Sequence, residues 1–221
     1  MNNPDFSRRN EPVTTPMSAF PYIPETRDWD ELAKAACKCK GCPLYASATQ
    51  TVFGSGPLDA KIVLVGEQPG DHEDKACQPF VGPAGHILDK ALADAGIDRA
   101  EVYVTNAVKH FKWEPSPNGD RRIHEKPNRR EVMACRPWLE AEIDTIRPEK
   151  IACLGATAAL ALVGDVSVKD MRGQTLRETS YASLLMVTVH PASILRVADD
   201  DRADAYQEFV DDLRALKEAT I

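Results

Sequence analysis

Short apolar runs, each ending at glycine or a polar residue, recur at wide intervals along the chain. Four of them have the length and continuous hydrophobicity of strands that are buried on both faces of a parallel sheet. These predicted strands span residues 61–66, 102–106, 150–155 and 184–189.

The segments around these runs place apolar residues at helical spacing. The predicted helices span residues 28–36, 83–96, 129–146, 156–163 and 201–219. Strands that alternate with helices form a parallel sheet with helices on both faces. The pattern therefore predicts an α/β fold, a three-layer αβα sandwich with a central, mainly parallel four-stranded sheet.

Residues 1–26 contain five prolines and few periodic apolar positions, which predicts a flexible tail. Residues 27–221 then form a single domain, because the chain is too short for two large ones. No run of about 18 apolar residues is present, so we expect no membrane span. The N-terminus lacks the apolar core of a signal peptide, and we expect a cytoplasmic protein whose six cysteines form no disulfides.

The formal charge of −7 excludes a global positive field that would draw the chain to nucleic acid. Contact with DNA would rely on local basic clusters, of which the densest spans residues 109–130. Within it, residues 119–127 (GDRRIHEKP) place His124 next to two arginines in a predicted loop. Such an imidazole can bind a ligand, shuttle a proton or act as a nucleophile, although a basic loop with one histidine is more often a solvated turn.

Polar residues follow three of the predicted strands. Glu67 and Gln68 come after the first strand, Asn106 ends the second, and His190 follows the fourth. Ligands of open α/β sheets bind outside the carboxyl ends of the strands, so these side chains should converge on one crevice. The loop at 66–71 has neither the lysine nor the glycine spacing of a phosphate-binding loop, which disfavours a nucleotide-binding enzyme.

Three residues are candidates for the wall of this crevice, and two of them, Phe80 and His190, have two interpretations each. Phe80, held between prolines and glycines in the loop 78–85, either packs in the core or stacks on a planar base. A buried Asn needs hydrogen-bond partners for both its amide NH2 and its carbonyl oxygen. The amide of Asn106 can find such partners in the donors and acceptors of a pyrimidine edge. His190 either caps the turn that Pro191 begins or faces the crevice.

Cysteine spacing predicts a metal site. Cys39 and Cys42 form a half-site with Cys37 as a competitor, and Cys135 and His110 are candidates for the remaining ligands. Three cysteines and one histidine fit structural zinc, and cysteine ligation also suits an iron–sulfur cluster. Spacing alone does not choose between them.

Five motifs, in this order, resemble those of the uracil-DNA glycosylase superfamily, its iron–sulfur family 4 and, within that family, the type X branch. They are residues 66–70 (GEQPG), 79–85 (PFVGPAG), 105–110 (TNAVKH), 121–124 (RRIH) and 190–193 (HPAS). The resemblance runs from about Cys39 to Leu216. Gln68 and the inserted RRIH loop are similar to type X. That branch's loop usually opens with Lys-Arg-Arg, whereas this chain has Asp120 in place of the lysine, which weakens the expected docking of the loop on phosphate.

The resemblance implies a structural 4Fe–4S cluster that takes no part in bond breaking. Its implied ligands are Cys39, Cys42, Cys135 and, where ordinary members have a fourth cysteine, His110.

The resemblance also implies roles in catalysis. Phe80 would stack on uracil, Asn106 would hydrogen-bond its edge, and His190 would donate to O2 as negative charge develops. His124 would attack C1′ of the sugar and form a stable covalent bond, assisted by Glu67. The further implied uracil- and DNA-binding residues are Gln68, Asp71, Arg122 and Ser193.

The implied partner is uracil-containing DNA, preferentially single-stranded, bound by a monomer that acts once as a covalent trap. Two alternatives stay open. One is a conventional hydrolytic family 4 glycosylase with turnover. The other, less favoured, is a non-catalytic nucleic-acid-binding protein with structural zinc.

Overall fold

Five strands form the central sheet of the computed structural model, which describes residues 17–221. Numbered in chain order and given in spatial order, they are β2 (Val102–Asn106), β1 (Ile62–Gly66), β5 (Lys150–Leu154), β7 (Leu184–Thr188) and β6 (Thr175–Arg177). The first four run parallel, in a register that pairs Gly66 with Asn106 and Leu154 with Thr188. The four predicted parallel strands are all present.

The sheet has one strand more than the predicted four. β6 runs antiparallel to β7 at the edge of the sheet, with Thr175 opposite Met186. Only Leu176 of its three residues carries an apolar side chain, and that side chain is half-buried. Because so short a strand has no apolar run or alternation, hydrophobic patterning does not detect it.

Helices cover both faces of the sheet, as the sequence predicts. On one face lie α1 (Trp29–Ala36), α4 (Arg129–Ile146) and α5 (Ala156–Leu162), and on the other lie α3 (Pro83–Asp94) and α8 (Asp199–Glu218). Short helices occupy three connections: α2 (Asp71–Ala76), α6 (Val168–Met171) and α7 (Pro191–Ile194). Val63 and Val65 pack into one core and Leu64 into the other, the alternation of a strand that is buried on both faces.

The packed chain begins before the predicted boundary at residue 26. Ala19 is buried, and its backbone N–H donates to the carbonyl of Ala134 on α4 at 2.7 Å. A 3₁₀ helix follows at Phe20–Tyr22. The first part of the predicted tail, residues 1–16, lies outside the described residues. Within residues 17–221, no helix is both long and apolar enough to cross a bilayer.

Part of the predicted loop at 119–127 is a strand of a β-hairpin. β3 (Trp113–Pro115) and β4 (Arg122–His124) pair antiparallel, with Trp113 opposite His124. The hydroxyl of the buried Ser116 donates to Asp120 Oδ1 at 2.6 Å, so Asp120 helps to close the turn between the two strands. His124 is therefore carried by a paired strand.

Candidate active site

A cavity of about 230 Å³ lies where β1, β2 and β7 end. Six of the predicted site residues line it: Gln68, Asp71, Phe80, Asn106, His124 and His190. They meet because the carboxyl ends of parallel strands share one edge of the sheet. The volume is below the roughly 300–1,000 Å³ of drug-sized ligand pockets, which suits a single small ring.

Gly66, the last residue of β1, makes room for two of these side chains. A Cβ added at this position would lie 2.4 Å from Asn106 Oδ1 and 2.6 Å from Phe80 Cζ. Both distances are too short for any side chain at position 66. The glycine therefore allows the amide and the ring to approach the backbone and to shape one wall of the cavity.

Phe80 is both a core residue and part of the cavity wall. Its backbone lies in the left-handed region, with φ of 57°, a conformation that strains a bulky residue. Gly85 permits this turn, since a Cβ there would lie 1.8 Å from the Phe80 carbonyl oxygen. The ring stacks near the imidazole of His190, with centroids 6.3 Å apart and planes inclined by 26°. Phe80 therefore packs in the core and lines the cavity, and its stacking on a base stays a prediction.

Asn106 offers free hydrogen-bonding groups to the cavity. The residue is buried, and within residues 17–221 its side-chain amide makes no hydrogen bond. Its backbone carbonyl accepts a hydrogen bond of 2.7 Å from Lys109 Nζ, which holds the end of β2 in place. Because the residue lines the cavity, its amide is available to a ligand there, and a side chain with both donor and acceptor groups suits recognition of a polar ring edge.

His190 presents a neutral N–H donor. The backbone N–H of Ala192 donates to His190 Nδ1 at 3.1 Å, which places the ring proton of the neutral imidazole on Nε2. Burial lowers the pKa of His190 to about 4, against an opposing effect of the Glu67 carboxylate. The imidazole is therefore neutral at physiological pH. Since His190 also caps α7, the capping and the cavity interpretations are both correct.

His124 stands at the mouth of the cavity with 47% of its side chain exposed. Its Nε2 lies 2.9 Å from Gln68 Nε2 and 3.4 Å from Glu67 Oε1. The same ring nitrogen thus faces an amide donor and a carboxylate. An imidazole flanked in this way can act as a nucleophile whose developing positive charge is stabilised nearby.

Gln68 secures the hairpin that carries His124. Its Nε2 has two hydrogens and three acceptors within reach, the carbonyls of Lys112 at 3.1 Å and Glu125 at 3.0 Å and His124 Nε2 at 2.9 Å, while its Oε1 accepts from the N–H of Lys112 at 3.0 Å. Lys112 precedes β3 and Glu125 follows β4. One buried side chain therefore closes the base of the hairpin and touches the imidazole.

Arg122, to which the resemblance assigns a role in DNA binding, is bound within the protein; the role itself stays a prediction. Its Nε donates to Asp71 Oδ1 at 2.5 Å, and its NH1 donates to Asp74 Oδ2 at 2.6 Å. The guanidinium also packs over the rings of Phe111 and Trp113. These contacts attach β4 to α2, so Arg122 orients the strand that carries His124.

Carboxylates offset much of the charge of the basic cluster at 109–130. The basic residues that form ion pairs are Lys109, Lys112, Arg121, Arg122 and Arg129. Among residues 17–221, Lys126 and Arg130 form none. Lys109 is moreover fully buried, so the exposed part of the cluster carries mixed charge and presents no continuous row of unpaired cations among the described residues.

Ser193 does not line the cavity. Its hydroxyl donates to the carbonyl of His190 at 2.7 Å, and its backbone N–H donates to the same oxygen at 2.8 Å. In this structure the residue shapes the turn that presents His190.

Comparison with known proteins identifies the family. A sequence model of the Uracil DNA glycosylase superfamily matches residues 53–214, the span that holds the whole cavity. The chain belongs to the uracil-DNA glycosylase superfamily. Three similar proteins are Type-4 uracil-DNA glycosylases. That of Thermotoga maritima is 40% identical over 161 residues, which are 72% of this chain and 79% of the relative. That of Pyrobaculum aerophilum is 36% identical, over 76% of this chain and 85% of the relative. That of Archaeoglobus fulgidus is 31% identical, over 86% of this chain and 92% of the relative.

The predicted cluster ligands of this superfamily member divide into two groups. Cys39, Cys42 and Cys135 are buried, and burial raises the pKa of the Cys135 thiol to about 12, with Cys42 and Cys39 close enough to contribute. Backbone N–H groups donate to sulfur, from Gly41 to Cys39 Sγ at 3.4 Å and from Lys109 to Cys135 Sγ at 3.3 Å. Buried cysteines with N–H···S bonds have the chemistry of iron–sulfur ligands.

His110, the predicted fourth ligand, contacts a hydroxyl group. It is buried, and its Nε2 lies 2.9 Å from the hydroxyl of Thr51. Within residues 17–221, no three side chains of His, Cys, Asp or Glu stand together as a group that could hold a metal ion. The three thiols have the chemistry of cluster ligands but do not stand together as a metal-binding group in this structure, so both the cluster and ligation by His110 stay predictions.

Two residues that touch the predicted site were missed by sequence analysis. Asp74 is fully buried and accepts a hydrogen bond from Arg122; its spacing of three from Asp71, on one helix face, was the available signal. Thr157 donates to Glu67 Oε2 at 2.5 Å from the first turn of α5. Nothing in the small-residue helix around Thr157 marks it, because its partner is 90 residues away.

Proposed function

We propose that this protein is a uracil-DNA glycosylase that cleaves the N-glycosidic bond of deoxyuridine in DNA. The observation that carries the proposal is the cavity at the strand ends, with an aromatic ring, a free amide and a neutral imidazole around a space for one small ring. The relatives at 31–40% identity bear the name of this activity. An enzyme that acts on a base must take it out of the stack and into such a pocket.

The pocket residues have complementary tasks in this reaction. Phe80 stacks on the uracil ring, and the amide of Asn106 pairs with the polar edge of the base. As the bond between C1′ and N1 lengthens, its electron pair moves onto the base, and His190 Nε2–H donates to uracil O2. A preorganised donor at the site of developing charge typically contributes a few kcal/mol, and a neutral donor contributes without losing its proton to the base.

The proposal includes covalent capture of the sugar by His124. Its Nε2 forms a bond to C1′ while the bond from C1′ to uracil breaks and the base leaves as an anion. For this attack Nε2 carries the lone pair and Nδ1 the ring proton, a tautomer in which Nε2 can accept from Gln68 Nε2 at 2.9 Å; the Nδ1 proton passes to solvent after the attack. The Nε2–C1′ bond displaces the hydrogen bond from Gln68, whose amide retains the carbonyls of Lys112 and Glu125 as acceptors.

Glu67 stabilises positive charge during capture. Its Oε1 lies 3.4 Å from His124 Nε2 and faces the position where the oxocarbenium-like sugar and then the imidazolium develop charge. Because its side chain is only 22% exposed, water screens this interaction weakly. The carboxylate therefore favours a transition state in which charge moves from the sugar to the imidazole.

The decisive experiment uses single-stranded DNA with one uracil. Wild type should form a protein–DNA band that survives denaturing electrophoresis, and His124→Ala should form none. His86→Ala, which removes another exposed histidine outside the cavity, is the matched control and should behave as wild type. Release of several equivalents of uracil by wild type with no such band would reject capture and leave the hydrolytic alternative, which the names of the relatives favour.

The proposal also assigns a 4Fe–4S cluster to Cys39, Cys42 and Cys135 with a fourth ligand, for which His110 is the candidate. When bound, the cluster supplies a structural tether between the N-terminal segment and α4. Iron and sulfide analysis with visible spectroscopy tests the assignment. Stoichiometric zinc in a colourless protein would instead support the non-catalytic nucleic-acid-binding alternative.

Single-stranded preference, a monomeric state and a cytoplasmic location stay predictions. Competition between single- and double-stranded uracil DNA in the denaturing-gel assay tests the first, and light scattering of the purified protein tests the second.

A further inference from the structure

The Glu67 carboxylate has two different neighbours. Its Oε2 accepts a hydrogen bond of 2.5 Å from the hydroxyl of Thr157, and its Oε1 lies 3.4 Å from His124 Nε2. The two oxygens of a carboxylate are held in one plane about a single terminal torsion. A donor that holds one oxygen therefore determines where the other points.

Thr157 is itself rigidly placed. Its side chain is 2% exposed and lies in the first turn of α5, directly after β5. The preceding turn is tight, with φ of 91° at Gly155, whose N–H donates to the carbonyl of Thr188 at 2.8 Å. A Cβ at Gly155 would lie 3.0 Å from His190 Cβ, so the same turn adjoins another residue of the cavity.

Glu67 lacks other fixed partners that could take over this task. Within residues 17–221, its side chain contacts only Thr157 and His124 by hydrogen bond or ion pair. His124 is half-exposed on a hairpin, whereas Thr157 is buried, on a helix whose Ala158 and Ala159 belong to the packed core. The buried hydroxyl is therefore the fixed member of this pair of contacts.

We propose that Thr157 is a positioning residue, whose hydroxyl holds Glu67 Oε2 so that Oε1 faces His124 and the reacting sugar. The inference rests on the proposed function and adds a residue to its machinery. Thr157 does not touch the DNA or the base. It acts by removing the rotational freedom of the carboxylate before the substrate arrives.

The test compares Thr157→Val, which keeps the shape and removes the hydroxyl, with Thr157→Ser, which keeps the hydroxyl. Both uracil release and adduct formation are followed in single-turnover reactions with uracil DNA. We expect the rate constant of Thr157→Val to fall roughly 10- to 100-fold, the range of a hydrogen bond to a charged group. Thr157→Ser should stay within about threefold of wild type.

Thr188→Val is the matched control. Thr188 is also a buried threonine whose hydroxyl donates to a carboxylate oxygen at 2.5 Å, but its partner is Asp212 on α8. It should lose comparable thermal stability and keep the wild-type rate. Affinity for DNA that carries 2′-fluoro-deoxyuridine, which resists cleavage, should not change in Thr157→Val, because the base-binding side chains are untouched.

The outcomes distinguish failure of the positioning role of Thr157 from failure of the proposed glycosylase function. Wild-type rates in Thr157→Val, or equal losses in the valine and serine variants, would overturn the positioning role while the proposed function stands. A fall in affinity for the uncleavable DNA that matches the fall in rate would also overturn it, since the defect would then lie in binding. If wild type yields neither free uracil nor adduct, the proposed function itself is wrong.

Discussion

Loss of one partner of the buried ion pair between Lys109 and Glu142 should strongly destabilise the protein. Both side chains are fully buried, at 1% and 0% exposure. Besides the lysine, Glu142 Oε1 accepts from Tyr103 OH at 3.0 Å and from Gly54 N at 2.8 Å, and Oε2 accepts from Thr105 Oγ1 at 2.9 Å. Glu142→Gln keeps the shape of the side chain but leaves the ammonium without a countercharge.

The magnitude follows from burial. Removal of one partner from a buried pair costs about 3–5 kcal/mol, and we expect a loss in this range because the new amide NH2 would also face groups that donate to the carboxylate. That is a large share of the roughly 5–15 kcal/mol by which a typical domain is stable. The measurement is urea unfolding of Glu142→Gln and wild type, with the shift in midpoint at constant m giving the change in free energy.

Glu140→Gln is the matched control on the same helix. Glu140 pairs with Arg136 at 2.8 Å, but both side chains are more than one third exposed, so the loss should be at most about 1 kcal/mol. The double variant Lys109→Met with Glu142→Gln should lose less than the sum of the two single variants, because no unpaired charge remains. Equal losses in Glu142→Gln and Glu140→Gln would refute the reasoning.

Three further predictions concern the cavity. Gly66→Ala should abolish both uracil release and adduct formation in the denaturing-gel assay, because the new Cβ would overlap the Asn106 amide and the Phe80 ring. Wild-type activity of this variant would contradict the prediction. The pKa of His190, about 4 in the folded protein against about 6.5 unfolded, means that the unfolded chain binds more protons between these values. Stability should therefore decline as pH falls from about 6.5 to 4, by up to about 1.4 kcal/mol per pH unit, and His190→Asn should decline less steeply in urea titrations. Arg122→Lys should slow adduct formation about tenfold, since an ammonium cannot bond both α2 carboxylates in the same way; an unchanged rate would show that this attachment does not orient His124.

The pattern of apolar residues in each segment was sufficient to predict the parallel strands of the sheet. The four parallel strands are continuous apolar runs because both faces of the sheet are covered. Each strand can therefore be recognised from its own residues alone. The positions of Gln68, Asn106 and His190 after strands then placed them at one edge of the sheet, since parallel strands end together. The resemblance to a known family added the roles that periodicity cannot supply.

Contacts between distant segments required the tertiary structure. β6 is too short and too polar to be recognised alone and exists because β7 offers an unpaired edge. The sequence places Arg122 in a basic cluster and does not show that the fold brings Asp71 and Asp74 of α2 within hydrogen-bonding distance of it.

Sequence by itself determined which residues lie at the strand ends and hence which chemical groups surround the cavity. Tertiary structure alone decided how those groups are oriented: the proton of His190 on Nε2, Gln68 against His124, and Thr157 on Glu67. The physical reason is the distance along the chain over which each effect acts. Burial and backbone periodicity act over a few neighbouring residues, whereas hydrogen-bond partners are chosen by proximity in space, which a linear pattern does not contain.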